Sequence, residues 1–175
     1  MLSASSPLAT VQRFTAPGVN ITEDAAFTLT QIAGFGKAFE KVLAEAVGKL
    51  PAKVGIANSN GDFAVLRVAP RQFWCIGNNV PEGLSAECVV TPLSSSRCRI
   101  KIEGDEARTL LARCAPVDFD SRSFKPGHFV LTGIHHTPVM IHCTSECEFH
   151  LYAMRTFARA VWEWVTDAAE GLSHA

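Results

Sequence analysis

The stretch of residues 97–120 constrains the fold more than any other part of the sequence, because its hydrophobic period changes within it. Over residues 97–103, apolar and charged residues alternate, which is the period-two pattern of a strand with one polar face. After Gly104 the apolar residues recur at helical spacing, at Ala107, Leu110, Leu111 and Cys114. Pro116 has no N–H to donate and ends the predicted helix. The stretch therefore predicts a strand, a glycine turn and a short amphipathic helix.

The periodic segments of the whole chain predict two units of similar size. The first predicts the order β-α-β-β-turn-β-β, and the second predicts a ferredoxin-like β-α-β-β-β-α order. Strands and helices do not alternate strictly enough for a doubly wound parallel sheet. We therefore expect an α+β fold with two small open sheets, antiparallel or mixed, each covered by helices.

Composition divides the chain into three predicted segments. Residues 1–20 are rich in Ser, Ala, Thr and Pro and show no period, which predicts a flexible N-terminal arm. The first α+β unit is expected at residues 21–93 and the second at residues 94–175. We expect the two units to pack intimately as one functional domain.

Local patterns place several further elements. Helical spacing predicts one helix ending near Gly48 and a last helix over residues 155–169. Clusters of small polar residues predict a turn at residues 58–62 and a polar loop at residues 78–85. The predicted apolar stripe of the last helix consists of Phe157, Val161, Trp164, Val165 and Ala168. That stripe leaves Trp162 at a flank, where it would contact either a partner protein or the first unit.

Charge and hydropathy argue against several classes of protein. The chain of 175 residues has 16 Lys and Arg against 17 Asp and Glu, a net charge of −1, without the basic face of a nucleic-acid-binding protein. No apolar run approaches the roughly 20 residues that span a bilayer, and the N-terminus lacks the basic and apolar regions of a signal peptide. We therefore expect a cytoplasmic protein whose six cysteines are reduced and serve mostly as small hydrophobic residues.

The residue types that bind zinc are densest in a predicted hairpin near the C-terminus. A three-residue loop at residues 144–146 would pair Cys143 with Cys147 and place both thiols on the core face. His142 and His150 would then face solvent on the opposite side. Because the thiols and imidazoles lie on opposite faces, they cannot share a metal ion, and we expect no metal site.

The sequence contains none of the common catalytic motifs. It lacks G-x-G-x-x-G, G-x-x-x-x-G-K-[ST], G-x-S-x-G and H-E-x-x-H. Asp118 and Asp120 are a pair of carboxylates suited to acid–base chemistry, but turn residues that cap backbone N–H groups are the favoured interpretation. The basic residues of strand 97–103 favour a solvated face over a phosphate-binding track. We therefore predict no catalytic, cofactor-binding or metal-binding residues in this chain.

Four segments, in their order and spacing, resemble the gamma subunit family of heterotetrameric sarcosine oxidase. They are residues 66–77 (LRVAPRQFWCIG), 93–118, 124–134 and 149–164. The chain departs from the family pattern at Pro92, where Asp is usual, and at Thr156, where Ser is usual. The Lys-Gly-Cys-Tyr-x-Gly-Gln motif of the related iron–sulfur assembly proteins is absent, which disfavours a stand-alone assembly factor.

This resemblance implies a fold related to folate-binding aminomethyltransferase domains and a non-catalytic, structural role in sarcosine catabolism and one-carbon metabolism. The family's complex demethylates sarcosine oxidatively to glycine and passes the one-carbon unit to tetrahydrofolate. FAD, FMN, NAD and tetrahydrofolate are expected in the partner alpha and beta subunits of the heterotetramer, which also contains a delta subunit. No cofactor is expected in this chain.

Two alternatives remain open at the level of sequence. The chain could be an independent folate-binding module of the aminomethyltransferase-like fold, with Asp118, Arg67 or Arg155 holding a pterin or a glutamate. It could also be a small metal-dependent enzyme, although the predicted hairpin faces argue against that class.

Overall fold

The computed structural model describes residues 5–61, 63–77, 84 and 88–174. Within these residues the chain forms eleven strands and three α-helices. In chain order they are β1 (Phe14–Ala16), β2 (Val19–Glu23), β3 (Leu29–Gly34), α1 (Phe39–Val47), β4 (Ala57–Asn60), β5 (Phe63–Ala69), β6 (Gln72–Ile76), β7 (Cys88–Pro92), β8 (Arg97–Glu103), α2 (Ala107–Cys114), β9 (Phe129–Ile134), β10 (Thr137–Ser145), β11 (Glu148–Met154) and α3 (Ala158–Glu170). None of the helices formed by the described residues is long and apolar enough to cross a bilayer.

The elements divide into two compact units, one of which is discontinuous in sequence. One unit contains the described parts of residues 1–25 and 96–175, and the other contains those of residues 26–95. The sequence-based boundary near residue 93 lies close to this division, whereas the N-terminal segment joins the C-terminal unit. The intimate packing of the two units stays a prediction.

The discontinuous unit is built on a six-stranded sheet with the order β1-β2-β8-β11-β10-β9, in which every pair is antiparallel. The helices α2 and α3 pack together over one face. The core between sheet and helices includes Ile100, Leu111, Leu151 and Val165, all fully buried. The β-α-β-β-β-α order predicted for the second half of the chain is confirmed.

The strand–glycine–helix stretch forms as predicted. Cys98, Ile100 and Ile102 of β8 point into the core, and α2 follows directly. Gly104 has a φ of 128°, and a Cβ atom there would lie 2.1 Å from the carbonyl oxygen of Gly18. Gly104 is therefore required both by its backbone conformation and by the close approach of the β1–β2 turn.

The N-terminal segment is part of the sheet, whereas the sequence predicts a flexible arm for residues 1–20. β2 pairs with β8, with Ile21 opposite Ile102, and Ile21 is fully buried. Leu8, further upstream, is also buried, with 1% of its surface exposed. Strands of three and five residues are too short to show a clear hydrophobic period, which explains why sequence inspection misses them. Residues 1–4 lie outside the described residues.

The second unit is a five-stranded antiparallel sheet with the order β4-β5-β6-β3-β7. Phe39 and Leu43 of α1 are fully buried and pack against Ile32, Val65, Phe73 and Cys75. At Gly34, a Cβ atom would lie 1.9 Å from the ring of Phe39, so α1 sits directly on the strand. The helix predicted to end near Gly48 is confirmed, and Gly48 is its C-cap residue with a φ of 84°.

The predicted turn at residues 58–62 and the predicted polar loop at residues 78–85 both belong to this unit. Residues 58–60, predicted as part of a turn, belong to β4, in which Asn60 pairs with Phe63. Asp62 and most of the predicted polar loop at residues 78–85 lie outside the described residues. The overall prediction of an α+β fold with two open sheets is confirmed, and all of the strand pairs are antiparallel in the described part of the chain.

Candidate functional site

The β10–β11 hairpin carries the histidines and cysteines that the sequence analysis considered for metal binding. Its register pairs Cys143 with Phe149 and Ser145 with Glu148, with a bulge between the two pairs. The predicted pairing of Cys143 with Cys147 is therefore wrong by two residues, and Cys147 lies exposed at the tip of the hairpin. The predicted core face is confirmed for Cys143, because a shift of two residues returns each side chain of the strand to the same face, but it is wrong for Cys147.

The two histidines lie on the face opposite the thiol of Cys143, as predicted, but they do not face solvent. They pair directly across the strands, and His142 is only 2% exposed while the side chain of His150 is 16% exposed. Neither ring nitrogen of His142 has a hydrogen-bond partner among the described residues. No group of three or more His, Cys, Asp or Glu side chains in the described parts of the chain is placed to hold a metal ion.

Around these histidines the sheet carries a dense set of ion pairs, which we call the polar face. Arg99 Nη2 lies 2.6 Å from Asp24 Oδ2, and the Asp24 N–H donates to the Arg99 carbonyl oxygen at 2.9 Å. Lys101 Nζ lies 2.7 Å from a carboxylate oxygen of Glu103 and 3.4 Å from one of Glu148. The predicted solvated strand face is therefore wrong for Arg99, whose side chain is only 11% exposed.

Glu148 connects the ion pairs to the histidines. One of its carboxylate oxygens, Oε1, lies 3.3 Å from His150 Nε2 and accepts a hydrogen bond of 2.7 Å from the Thr144 hydroxyl. Burial alone would raise the pKa of the Glu148 carboxyl, but the Thr144 hydrogen bond and the interactions with His150 and Lys101 bring it below its usual value. Glu148 is thus a fully engaged carboxylate and not a free base.

Three titratable groups of the polar face, those of His142, His150 and Tyr152, are held in their neutral forms. Burial, with a contribution from His150, lowers the pKa of His142 to about 4, and burial with the charge of Arg99 lowers that of His150 to about 4. Burial raises the pKa of Tyr152 to about 12. A general acid or base works best with a pKa near the working pH, and these three groups lie far from neutrality. The polar face is suited to holding its strands together and poorly suited to proton transfer.

Asp118 and Asp120 are turn caps, which confirms the favoured interpretation of this pair. An Asp118 carboxylate oxygen accepts a 3.0 Å hydrogen bond from the Asp120 N–H, and Asp120 Oδ1 accepts one of 2.9 Å from the Arg122 N–H. The hydrogen bonds from Arg122 lower the pKa of Asp120 to about 2. Both carboxylates are exposed and ionised, with their lone pairs directed at the local backbone.

The three residues considered for folate binding already have other partners. Arg67 forms a two-point ion pair with Glu40, at 2.8 Å for each contact, and donates from Nε to the Pro51 carbonyl oxygen at 2.7 Å. Arg155 donates to the carbonyl oxygen of Ser5. Arg67 belongs to the unit of residues 26–95, whereas Arg155 and Asp118 belong to the other unit. Each of the three side chains therefore stabilises its own unit.

Arg108 is an organising residue that the sequence analysis missed. Its guanidinium donates to the carbonyl oxygens of Phe119 at 2.7 Å and Phe124 at 2.8 Å, and to Glu146 at the hairpin tip. It also lies over the ring of Phe149, 5.1 Å from the centroid. No sequence signal marks this role, because most of its acceptors are backbone carbonyls distant in the chain.

The last helix presents a different face from the one predicted. α3 buries Ala158, Val161, Trp162, Val165 and Ala169. Trp162 is 6% exposed, whereas Phe157 is 45% exposed, so the predicted assignment of Trp162 to a flank is wrong. The reason is that Phe157 precedes the helix in a 3-10 turn, which shifts the phase of the apolar stripe. Trp164 is half-buried, with its ring 4.8 Å from that of His135.

His135 forms, together with His136, the two-residue turn between β9 and β10. Both have positive φ angles, 44° and 66°, as a type I′ turn requires. Asn-Gly is the usual sequence of such a turn, and two consecutive imidazoles in this conformation are uncommon. The turn closes β9 tightly against β10 and leaves both imidazoles exposed.

Comparisons with known proteins were made on the sequence and on the structure. The sequence matches no protein-family model and no curated protein. The structure is similar to a chain of heterotetrameric sarcosine oxidase from Corynebacterium sp. U-96, with a TM-score of 0.87 and 26% identity, over 98% of this chain and 97% of that chain.

A second similarity concerns the fold alone. Aminomethyltransferase T of the glycine cleavage system from Bartonella henselae matches with a TM-score of 0.64 and 18% identity, over 85% of this chain and 45% of that chain. The match to the sarcosine oxidase chain confirms the resemblance to heterotetrameric sarcosine oxidase, and this chain shares its fold with a chain of that enzyme over nearly the full length of both.

Proposed function

We propose that this chain is the gamma subunit of a heterotetrameric sarcosine oxidase, with a structural role in the complex. The observation that carries the proposal is the match to one chain of such an enzyme over 98% of this chain and 97% of that chain. A match that nearly spans both chains indicates an equivalent subunit and not a shared domain in a larger protein. The complex would demethylate sarcosine oxidatively to glycine and pass the one-carbon unit to tetrahydrofolate.

The chemistry of the described residues supports a non-catalytic role. The buried histidines are held neutral with pKa values of about 4, and the carboxylates of the polar face are engaged in ion pairs. The flavins, NAD and tetrahydrofolate would accordingly be bound by the alpha and beta subunits, with a delta subunit completing the complex. The cysteines are all free thiols, which supports a cytoplasmic location.

Assembly is the direct test of this proposal. The chain is co-expressed with the alpha, beta and delta subunits of a heterotetrameric sarcosine oxidase from the same source, and the mixture is separated by size-exclusion chromatography. We expect the chain to co-elute with the large subunits in equal amounts. A chain that always elutes apart from them contradicts the proposal.

Variants of the polar face separate a structural role from a catalytic one. In the assembled oxidase, Glu148→Gln and His150→Gln should leave kcat for sarcosine unchanged within about twofold, because neither group would touch the substrate. Their effect should be on thermal stability and on the yield of the complex. A loss of kcat of a hundredfold or more in a complex that assembles normally would place a reacting group in this chain.

An independent folate-binding module is the second candidate, and the similarity to aminomethyltransferase T is the observation that favours it. Calorimetry of the isolated chain with tetrahydrofolate tests it. The contacts of Arg67 and Arg155 with Glu40 and Ser5 predict no measurable heat at millimolar ligand. If heat is observed, loss of binding in Asp118→Asn or Arg155→Gln would identify the site.

A further inference from the structure

β9 lies at one edge of the six-stranded sheet, with β10 on its only paired side among the described strands. Its ladder with β10 runs without interruption from the pair Phe129 and His142 to the pair Ile134 and Thr137. Beyond one end of the ladder, the Cys143 N–H donates to the His128 carbonyl oxygen at 2.9 Å. Since antiparallel pairs alternate between hydrogen-bonded and non-bonded, this contact fixes which backbone groups face β10 and which face outward.

The outward groups belong to Phe129, Leu131 and Gly133. In an antiparallel ladder, every second residue directs its N–H and C=O away from the paired strand, and these three alternate with the residues bonded to β10. Pro138 lies opposite Gly133, at a non-bonded position of this ladder, so its missing N–H removes no hydrogen bond to β9. Within the described parts of the chain, the N–H groups of the three outward residues have no hydrogen-bond acceptor.

β9 has none of the features that normally prevent a sheet edge from pairing with another chain. Natural edges are protected by lysines, prolines, bulges or short strand length. β9 is six residues long, its sequence Phe-Val-Leu-Thr-Gly-Ile has no charge and no proline, and its register is regular. The opposite edge, β1, is only three residues long. Of the two edges of the six-stranded sheet, β9 is therefore the unprotected one.

An apolar surface lies beside this edge on the same side of the sheet. Leu131 is 57% exposed and Met154 is 39% exposed. Leu131 lies directly opposite Met140 in the ladder, so the two side chains are on the same face of the sheet. The exposed Pro138 is two residues from Met140 along β10 and therefore lies on that face too. Met154 lies on this face as well, because it is two residues from Tyr152, which pairs with Met140 from the β11 side. A strand added to β9 would find apolar contacts for its alternate side chains here.

We propose that β9 binds an extended strand of one of the large subunits, which adds to the six-stranded sheet as a seventh strand. This inference rests on the proposed function, because it names the surface through which the chain would join the oxidase. The three outward residues would exchange about six hydrogen bonds with an antiparallel partner strand. The docked subunit would cover Leu131, Pro138 and Met154.

The charges around β9 specify the chemistry of the bound strand. Residues 125–136 contain one lysine and three histidines and no Asp or Glu. The partner segment is therefore expected to be uncharged and apolar at alternate positions along β9, with carboxylates near its ends, facing Lys125 at one end and the His135–His136 turn at the other.

Hydrogen exchange in the assembled oxidase tests the location of this interface. Amide exchange is measured by mass spectrometry for the chain alone and for the co-purified complex. We expect peptides covering residues 129–134 to exchange at least tenfold more slowly in the complex, while peptides covering β1 change little. A complex that forms without protection of β9 overturns the inference and leaves the proposed function intact. Absence of any complex overturns both.

Three substitutions of Leu131 test the mode of binding. Leu131→Pro removes an outward N–H and should weaken binding of the large subunits by about tenfold or more. This is the effect expected from the loss of one hydrogen bond together with the poorer packing of the added strand. Leu131→Lys adds the charge that protects natural edges and should weaken it further. Leu131→Val keeps the N–H and the apolar character and should bind within about twofold of the original chain.

The folding of each variant is checked separately by circular dichroism and thermal melting of the isolated chain. If Leu131→Pro is folded and binds as tightly as Leu131→Val, strand addition at β9 is wrong. If the isolated chain is a dimer in which residues 129–134 are already protected, the occupant is a second copy of the chain, and the inference is also overturned.

Discussion

The two faces of the six-stranded sheet are built on opposite principles. The face under α2 and α3 is a continuous apolar core, in which Ile100, Ile141 and Leu151 are fully buried. The polar face is also largely buried at its centre, but the side chains buried there include the ion-paired Arg99 and the neutral imidazole of His142. Burial alone therefore does not identify a hydrophobic core, because the same strands bury polar side chains on their other side. The two faces should therefore respond differently to substitution and to pH.

The largest effect is expected on the apolar face. Ile100→Ala removes a fully buried side chain from the centre of the core, and it should lower the free energy of unfolding by about 4 kcal/mol through lost burial and the resulting cavity. Urea denaturation followed by circular dichroism measures the change. The matched control is Lys101→Ala, since Lys101 is the adjacent residue and lies on the other face. This substitution should lower the free energy of unfolding far less. Equal losses for the two variants would remove the distinction between the faces.

Acid should weaken the polar face and leave the apolar face unaffected. The pKa of His142 is about 4 in the folded chain against about 6.5 when unfolded, so the unfolded state binds the proton more readily. The full stability is present above about pH 6.5 and is lost as the pH falls toward 4, by up to about 3 kcal/mol for this residue. Melting temperatures measured between pH 4 and 8 follow this loss.

His142→Leu should reduce the pH dependence of stability in that window, because one of the two buried histidines is gone and His150 still titrates there. His136→Asn is the control, since His136 is exposed in a turn and Asn tolerates its positive φ. A pH profile that His142→Leu leaves unchanged would show that His142 is not buried in its neutral form.

The ion pair between Arg99 and Asp24 should make the next largest contribution. Asp24→Asn leaves the guanidinium of Arg99, which is 11% exposed, without its charged partner, and we expect a loss of about 2 kcal/mol. The double variant Asp24→Asn with Arg99→Met should recover part of that loss, because no unpaired charge then remains buried. Denaturation of the two variants checks this, and a double variant less stable than Asp24→Asn would contradict it.

The smallest effect is expected at the rim of the polar face. Lys101 is paired with Glu103 and Glu148, but its side chain is 30% exposed, so solvent screens the interaction. Lys101→Met should change the free energy of unfolding by less than about 1 kcal/mol. Its pairing with acids raises the pKa of Lys101 further above the neutral range, so the effect should not vary between pH 6 and 9. A larger loss would mean that the whole polar face is as sensitive as Arg99.

The sequence predicted β8 and α2 of the apolar face well, but it predicted the buried side of α3 and the polar face poorly, for physical reasons that particular residues illustrate. Alternation in β8 and helical spacing in α2 are local patterns, and both elements have the predicted bounds or nearly so. The burial of His142 depends on distant parts of the chain, which no local pattern encodes. The contacts of Arg108 with backbone carbonyls are equally invisible in sequence. The candidate partner surface on β9 needed the strand order, since only topology shows which strand lies at an edge.

The register of the β10–β11 hairpin has a consequence for how this chain can change in length. Because side chains alternate between an apolar and a polar face, an insertion or deletion of one residue within the paired part of β11 would exchange the faces of every residue from that point to the end of the strand. A change of length at the hairpin tip, around Cys147, alters only the turn and leaves both faces in place. Length variation among natural or engineered relatives should therefore occur at this tip and not within the strands of the hairpin.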